Sequence, residues 1–178
     1  MREASPLDEL GEAARTRAMI TFDYESTTER SHRRVEPYRV VLHKRVRYVL
    51  GWDLDRDDWR TYRIDRMAGL GRGGEFVPRD VPGAAASFHQ DDATPPHRAV
   101  LEFAAPLSTV ADRLLTQEAE FESVDADHCR GWLWVDSHVW LAAVVLSTGI
   151  DFTIEEPEAF RDHCRALRDR LDRAIGSR

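Results

Sequence analysis

The stretch KRVRYVLGWDLDRDDWRTYRIDRM, residues 44–67, decides the fold of this chain. It holds two runs of strand-like alternation joined by an acidic turn. In the first run Val46, Tyr48, Leu50 and Trp52 fall on one face, and Arg45, Arg47, Val49 and Gly51 on the other. The centre, Asp53-Leu54-Asp55-Arg56-Asp57-Asp58, is rich in side chains that bond their own backbone and favour turns. In the second run Trp59, Thr61 and Arg63 oppose Arg60, Tyr62 and Ile64. The pattern predicts a β-hairpin. Arg45, Arg47, Arg60, Arg63 and Arg66 stand beside aromatic residues on strands short enough for a small barrel, which buries one face of each strand. A buried arginine needs a partner, so these guanidinium groups either pair with the nearby aspartates or line a groove that receives an anionic ligand.

Working outward on the N-terminal side, Ser5-Pro6 followed by Asp8 and Glu9 starts a helix: a hydroxyl cap, proline at the first helical position and carboxylates in the first turn. Leu7, Leu10, Ala13 and Ala14 share its face, and it is expected to end near Arg17. Ile20, Phe22 and Tyr24 alternate on the inward side of a strand that begins at Ala18. After a turn at Glu25-Ser26-Thr27-Thr28, a basic strand runs from Arg30 to Glu36. Pro37 cannot donate to a ladder and marks an edge or a bend before Tyr38 to His43. Four or five short strands in succession without a helix suit a small closed or half-closed antiparallel barrel. Gly69, Gly71, Gly73 and Gly74 are expected to loosen the chain before Phe76, where the barrel ends.

On the C-terminal side, Asp91-Asp92-Ala93-Thr94-Pro95-Pro96 reads as a stiff extended linker. The expected organisation is a barrel domain over residues 1–90, a linker over 91–97 and a second domain over 98–178. The second domain carries strands at Ala99 to Phe103, Phe121 to Val124, Arg130 to Val135 and Asp151 to Glu155, and helices at Pro106 to Thr116 and Val139 to Leu146. Pro157 opens a last helix in which Phe160, Cys164, Leu167 and Leu171 make a core stripe. The order β-α-β-β-α-β-α is that of a ferredoxin-like α+β unit with one added helix. The fold class expected is therefore mixed α/β in two domains.

Composition narrows the function. The 178 residues are 42% hydrophobic and 32% charged, which suits a water-exposed protein with a core. No run approaches the ~18 apolar residues of a membrane span, and MREASPLDEL has no apolar signal core, so a cytoplasmic protein with no membrane partner is expected. The net charge of −7 argues against a non-specific nucleic-acid coat, but it is uneven: 11 Lys+Arg stand against 6 Asp+Glu between positions 30 and 66, and 9 against 15 between 98 and 178. A basic first half and an acidic second half imply two jobs, the first able to attract phosphate or carboxylate groups.

Other candidate chemistry reads as structure. Cys129 and Cys164 each follow a histidine, but consecutive strand residues project to opposite faces and do not converge on one ion, so no metal is expected. Asp136-Ser137-His138 has the residue types of a hydrolytic triad in the wrong geometry, and Ser137 reads as a helix cap. His43 and His89 are lone histidines. Phosphate-loop, zinc-protease and dinucleotide motifs are absent, so no catalytic residue, cofactor or enzymatic activity is expected.

Arg60-Thr61-Tyr62-Arg63-Ile64-Asp65-Arg66 resembles the Arg-x-Phe-Arg-x-Asp-Arg strand of the WYL domain family, with Tyr for Phe. Arg47-Tyr48-Val49 keeps the tyrosine of the family's Trp-Tyr-Leu triplet. Arg33-Arg34-Val35-Glu36-Pro37-Tyr38 resembles the family's Arg-x-Val-x-Pro element, and Phe76-Val77-Pro78-Arg79 its exit, so the resemblance runs from Leu7 to Phe88. It implies an Sm/SH3-like barrel, and by order and position the second half resembles the extension called WCX. It also implies that Arg33, Tyr48, Arg60, Arg63 and Arg66, with Tyr24 and Arg34 close by, bind an anionic effector, a nucleotide or single-stranded nucleic acid. Guanidinium forks hold phosphates bidentately and aromatic faces stack bases.

The resemblance thus implies the effector-sensing and dimerisation portion of a bacterial transcription regulator, a homodimer by default. Such a regulator reaches its DNA operator through a helix-turn-helix domain that has no room before Leu7, which makes the chain a piece of a longer regulator or a stand-alone sensor. Ligand in the groove is expected to shift the angle between the two domains. Arg47, in place of the family's tryptophan, is expected to leave the face of Tyr48 and cover the outside of the barrel or meet the second domain. The alternative is a non-catalytic interaction or dimerisation module whose arginines are structural.

Overall fold

The computed structural model describes residues 5–26, 29–82 and 97–176. Ser5 caps helix α1 (Pro6–Arg15) by accepting a hydrogen bond from the Leu7 amide at 3.3 Å, as its cap and proline predict. Strands β1 (Ala18–Glu25), β2 (Arg30–His43), β3 (Val46–Asp53) and β4 (Asp58–Arg63) follow, then a 3-10 turn (Ile64–Arg66) and β5 (Met67–Glu75). The second half runs β6 (His97–Phe103), α2 (Leu107–Arg113), β7 (Glu118–Ser123), β8 (Cys129–Val135), α3 (His138–Ser147), β9 (Phe152–Glu156) and α4 (Glu158–Ile175). Among the described residues the protein is mixed α/β, with an N-terminal helix and one antiparallel sheet of nine strands ordered β4-β3-β2-β7-β8-β6-β9; β1 adds to β2, and β5 to β1. The sheet does not close, because β5 pairs with β1 and not with β4.

Strand β2 makes the fold one sheet. Along one edge it pairs with β3 from Val35 to His43; along the other it pairs first with β1, at Arg30 to Val35, and then with β7, at Val40 to Leu42. Pro37 was expected to mark an edge or a bend; it lies inside a continuous strand, at a bulge in the gap between the β1 and β7 segments, where a sheet tolerates proline. The core is continuous as well: Leu10, Phe22 and Leu42 of the first half cluster with Leu101, Phe121 and Phe160 of the second. Asp8 of α1 accepts from the Ser108 amide at 2.9 Å and from its hydroxyl at 2.7 Å, capping α2 across the two halves. Strand pairing and core thus run through the boundary expected at 91–97, of which residues 91–96 lie outside the described residues, as do Thr27, Thr28 and His89.

At the β2–β7 seam, Arg39 bonds buried Glu120 at 3.1 Å and lies 4.2 Å over the Trp132 ring. Burial outweighs Arg39 and raises the Glu120 carboxyl above its ordinary range. The folded chain therefore takes up this proton before the unfolded chain does, and Glu120 contributes stability as pH falls toward 4.5 that is lost as pH rises. Glu120→Gln removes that contribution: between pH 7 and pH 5 its urea midpoint is expected to fall relative to the wild type's change over the same interval.

Gly69 to Gly74 do not loosen the chain but form β5. They suit a strand that β1 approaches closely: a Cβ at Gly71 would stand 2.8 Å from Thr21 Oγ1, and Gly69 has φ +63°. The stripe of α4 is core only at its start: Phe160 is buried, Cys164 and Leu167 are half-buried, and Leu171 is 51% exposed. Ser137 caps α3, accepting from the Trp140 amide at 3.2 Å, as read from the sequence.

Candidate functional site

Cross-strand partners share a face of a sheet, and this sorts the expected site. Arg33 stands opposite Phe22 on β1, and Val35 opposite Asp53 on β3; Gly51 faces Arg60, and Val49 faces Tyr62. Tyr24, Arg33 and Arg60 therefore belong to the face that carries Phe22, Asp53 and Tyr62. Arg34 stands opposite Thr21, and Tyr48 opposite Arg63, which puts Arg34, Tyr48 and Arg63 on the other face. Arg66 lies in the 3-10 turn that follows β4.

The first face is built around Asp53. Its carboxylate is fully buried, and it accepts from the amides of Asp55 at 2.9 Å and Arg56 at 3.2 Å and from the Tyr62 hydroxyl. Burial first, and the Asp53 carboxylate next, push the Tyr62 hydroxyl well above the ordinary tyrosine range. Tyr62 packs edge-on against Phe22 at 5.2 Å and Tyr24 at 5.0 Å. The Tyr24 hydroxyl accepts from the Arg63 amide at 3.3 Å, tying β1 to the end of β4 beside the unclosed gap between β4 and β5. Arg33, on β2 opposite Phe22, is half-buried on the same face, and its Nε has no hydrogen-bond partner among the described residues. The arrangement offers a guanidinium group and two tyrosine rings at one mouth of the sheet.

Much of the remaining positive charge is already answered within the chain. Arg34 bonds Asp55 at 2.7 Å, Arg63 bonds Asp65 at 2.7 Å and Arg60 lies 3.2 Å from Asp58. The arginines hold the Asp55 and Asp65 carboxyls below the ordinary carboxylate range. Arg47 leaves the Tyr48 face and meets Asp112 of α2 at 2.5 Å, which is the contact with the second half that the sequence allowed. A cavity of about 510 Å³ lies between α1, the start of β3 and β5; Leu10, Arg45, Arg47, Asp65 and Met67 line it. The seven expected residues lie outside its lining.

Asp53 and Tyr62 are the residues that the sequence reading passed over. Asp53 was read as turn and as a candidate partner of Arg63 or Arg66, and Tyr62 as a substitute for phenylalanine; the added hydroxyl was the signal, because a buried tyrosine oxygen must find a partner. Cys129 is buried in the core, where its thiol is pushed up to about 12, and Cys164 lies half-buried on α4. Among the described residues no group of three or more His, Cys, Asp or Glu side chains is placed to hold a metal ion, and no helix is long and apolar enough to cross a membrane.

The model of the WYL domain family matches residues 6–71, which hold α1 and most of β1 to β5. Among solved structures, the chain is similar to proteasome accessory factor B/C (PafBC) of Arthrobacter aurescens, at 20% identity over 86% of this chain and 24% of that one, with a TM-score of 0.44. It is also similar to a structure described as a CRISPR Cas-related protein, at 14% identity over 95% of this chain and 52% of that one, with a TM-score of 0.35. The chain thus spans about a quarter of the first of these and about half of the second.

Proposed function

We propose that this chain is the effector-sensing portion of a WYL-type transcription regulator, and that it binds an anionic ligand, a nucleotide or a short single strand of nucleic acid. The match of the WYL domain model to residues 6–71 carries the reading. In this reading β1 to β5 act as a half-closed Sm/SH3-like barrel over residues 1–90. Residues 98–178 act as a ferredoxin-like, WCX-like domain that supports a homodimer, and the strand order β7-β8-β6-β9 with helices between is consistent with that. The ligand meets Arg33 and Tyr24 at the mouth described above, with Arg60, Arg63 and Arg66 on the rim and Arg34 and Tyr48 behind it. The unpartnered Nε of Arg33 supports this placement.

Titration with labelled oligonucleotides of a few bases and with nucleotides, at two salt concentrations, tests the reading. Binding that weakens steeply with salt and falls at least tenfold in Arg33→Ala and in Arg66→Ala, both folded, is the expected outcome. Absence of binding to every anion in the panel sinks it. The second reading, an interaction module with structural arginines, draws on the ion pairs of Arg34, Arg60 and Arg63 and on the exposed apolar groups of α3 and α4. Val139 is 67% and Leu146 56% exposed, and a groove of about 740 Å³ runs past Leu146, Ile154 and Leu171. Under that reading anions fail to bind, and sedimentation shows concentration-dependent association that Leu146→Asp with Leu171→Asp abolishes.

A further inference from the structure

Away from that mouth, on the opposite face of the sheet, three strands bring an acid and two tryptophans into one row: Glu36 of β2 stands opposite Trp52 of β3, which stands opposite Trp59 of β4. The bulge in β2 adds Tyr38, whose ring lies 4.8 Å from that of Trp59 at 61°, while Trp52 and Trp59 meet at 5.7 Å and 82°. Three rings are thus set at steep angles beside the Glu36 side chain, which is 6% exposed. A buried carboxylate needs hydrogen-bond donors, best supplied by a cation, and the faces of tryptophan attract the flat, weakly hydrated guanidinium more than any other side chain.

Arg79 answers both demands. Its Cζ lies 4.4 Å over the Trp52 ring, its Nε donates to Glu36 Oε2 at 2.8 Å, and its amide donates to the Tyr38 hydroxyl at 2.8 Å. It arrives on residues 76–82, which leave β5 as neither helix nor strand, and Val77 beside it is 85% exposed. Upstream, the Phe76 amide bonds the Arg17 carbonyl at 2.9 Å. The segment is therefore held by the Arg79 head group and amide and by the Phe76 ring, 5.3 Å from that of Tyr38, and not by a strand ladder, which makes Arg79 exchangeable in a way that a core side chain is not.

We propose that Glu36, Tyr38, Trp52 and Trp59 form a guanidinium-recognition site, occupied in this state by Arg79 of the same chain and open to an arginine on an extended peptide when Arg79 withdraws. A tether this short supplies Arg79 at an effective concentration on the order of millimolar. A competing segment must exceed that, so the wild type binds free arginine groups poorly and a chain without Arg79 binds them well.

The test uses full-length Arg79→Ala and two probes: ethylguanidinium, and the peptide EFVPRDVP, which copies residues 75–82. Tryptophan emission of the variant is expected to shift saturably with each, at concentrations at least tenfold lower than the wild type needs. Ethylammonium and the peptide with lysine for arginine are expected to be at least tenfold weaker than their guanidinium counterparts, and Arg79→Ala with Glu36→Gln is expected to lose the response. If Arg79→Ala is unfolded alone, ethylguanidinium is expected to restore its circular dichroism and raise its melting temperature. A folded variant without a saturable response, an unfolded one that ethylguanidinium does not rescue, or equal responses to ammonium and guanidinium each overturn the proposal.

Discussion

Asp53→Ala is expected to lower the free energy of unfolding by about 3 kcal/mol, since it strips the Asp55 amide and the Tyr62 hydroxyl of their acceptor and leaves the Arg56 amide only the Asp53 carbonyl, at 3.3 Å. The Asp55 and Arg56 amides and the Tyr62 hydroxyl all point at this one carboxylate. Tyr62→Phe is expected to cost less, about 1.5 kcal/mol, because the two amides still hold the charge. The double variant is expected to fall short of the sum, since the interaction lost is shared. Urea denaturation of the four proteins measures the cycle; additive losses would mean that the pair is not coupled. The pH dependence has a definite sign. The folded state holds the Tyr62 proton above the ordinary value of 10.0, so the unfolded chain ionises first. This contribution is intact below about pH 10 and is lost as pH rises beyond it, a loss that Tyr62→Phe does not show.

Gly51→Ala is expected to cost about 3 kcal/mol, at the upper end of what overpacking produces. An added Cβ would stand 2.3 Å from Val35 Cγ1 and 2.6 Å from the Glu36 carbonyl oxygen, and the second contact is backbone that cannot rotate away. Gly51 faces Pro37 across the β2–β3 ladder, so relief must come from moving β2, and with it the Glu36 and Asp53 environments. Loss of urea stability together with a shift in tryptophan emission is the expected result; a midpoint within 0.5 kcal/mol of wild type would show that β2 gives way cheaply. By contrast, alanine at exposed Gly74 meets only the flexible end of Met19 at 3.6 Å and is expected to be nearly neutral.

What the sequence made legible follows the range of the physics involved. Alternation and an acidic turn are local, and the hairpin of β3 and β4 lies where they put it. Capping is local too, and Ser5 and Ser137 both do what their neighbours implied. The continuity of β2 through Pro37 and the glycines of β5 were misread because their reasons are not local. Proline is tolerated in β2 because the strand changes partner beside it, and the glycines fit a strand because of side chains on β1.

The candidate site was half legible. Residue types and the WYL signature singled out the arginines, and parity set Tyr48 apart from Arg47, but the same parity was not applied to Arg33 and Arg34, which stand on opposite faces. The acids that pair with Arg60 and Arg63 lie two residues away and are among the nearby aspartates offered as their alternative partners, whereas Asp55 stands 21 residues from Arg34. The cluster of Glu36, Trp52 and Arg79 was hidden, because 43 residues separate Glu36 from Arg79.

The double pairing of β2 has a consequence for handling this protein. Divided between residues 82 and 97 and made as two polypeptides, each piece would present a surface that the other is shaped to cover: β7 would lose a neighbour, and α1 would be stripped of α2. Neither piece should behave as a self-sufficient unit, and mixing them should regenerate the native spectrum in a second-order reaction, as complementary fragments of one folding unit do.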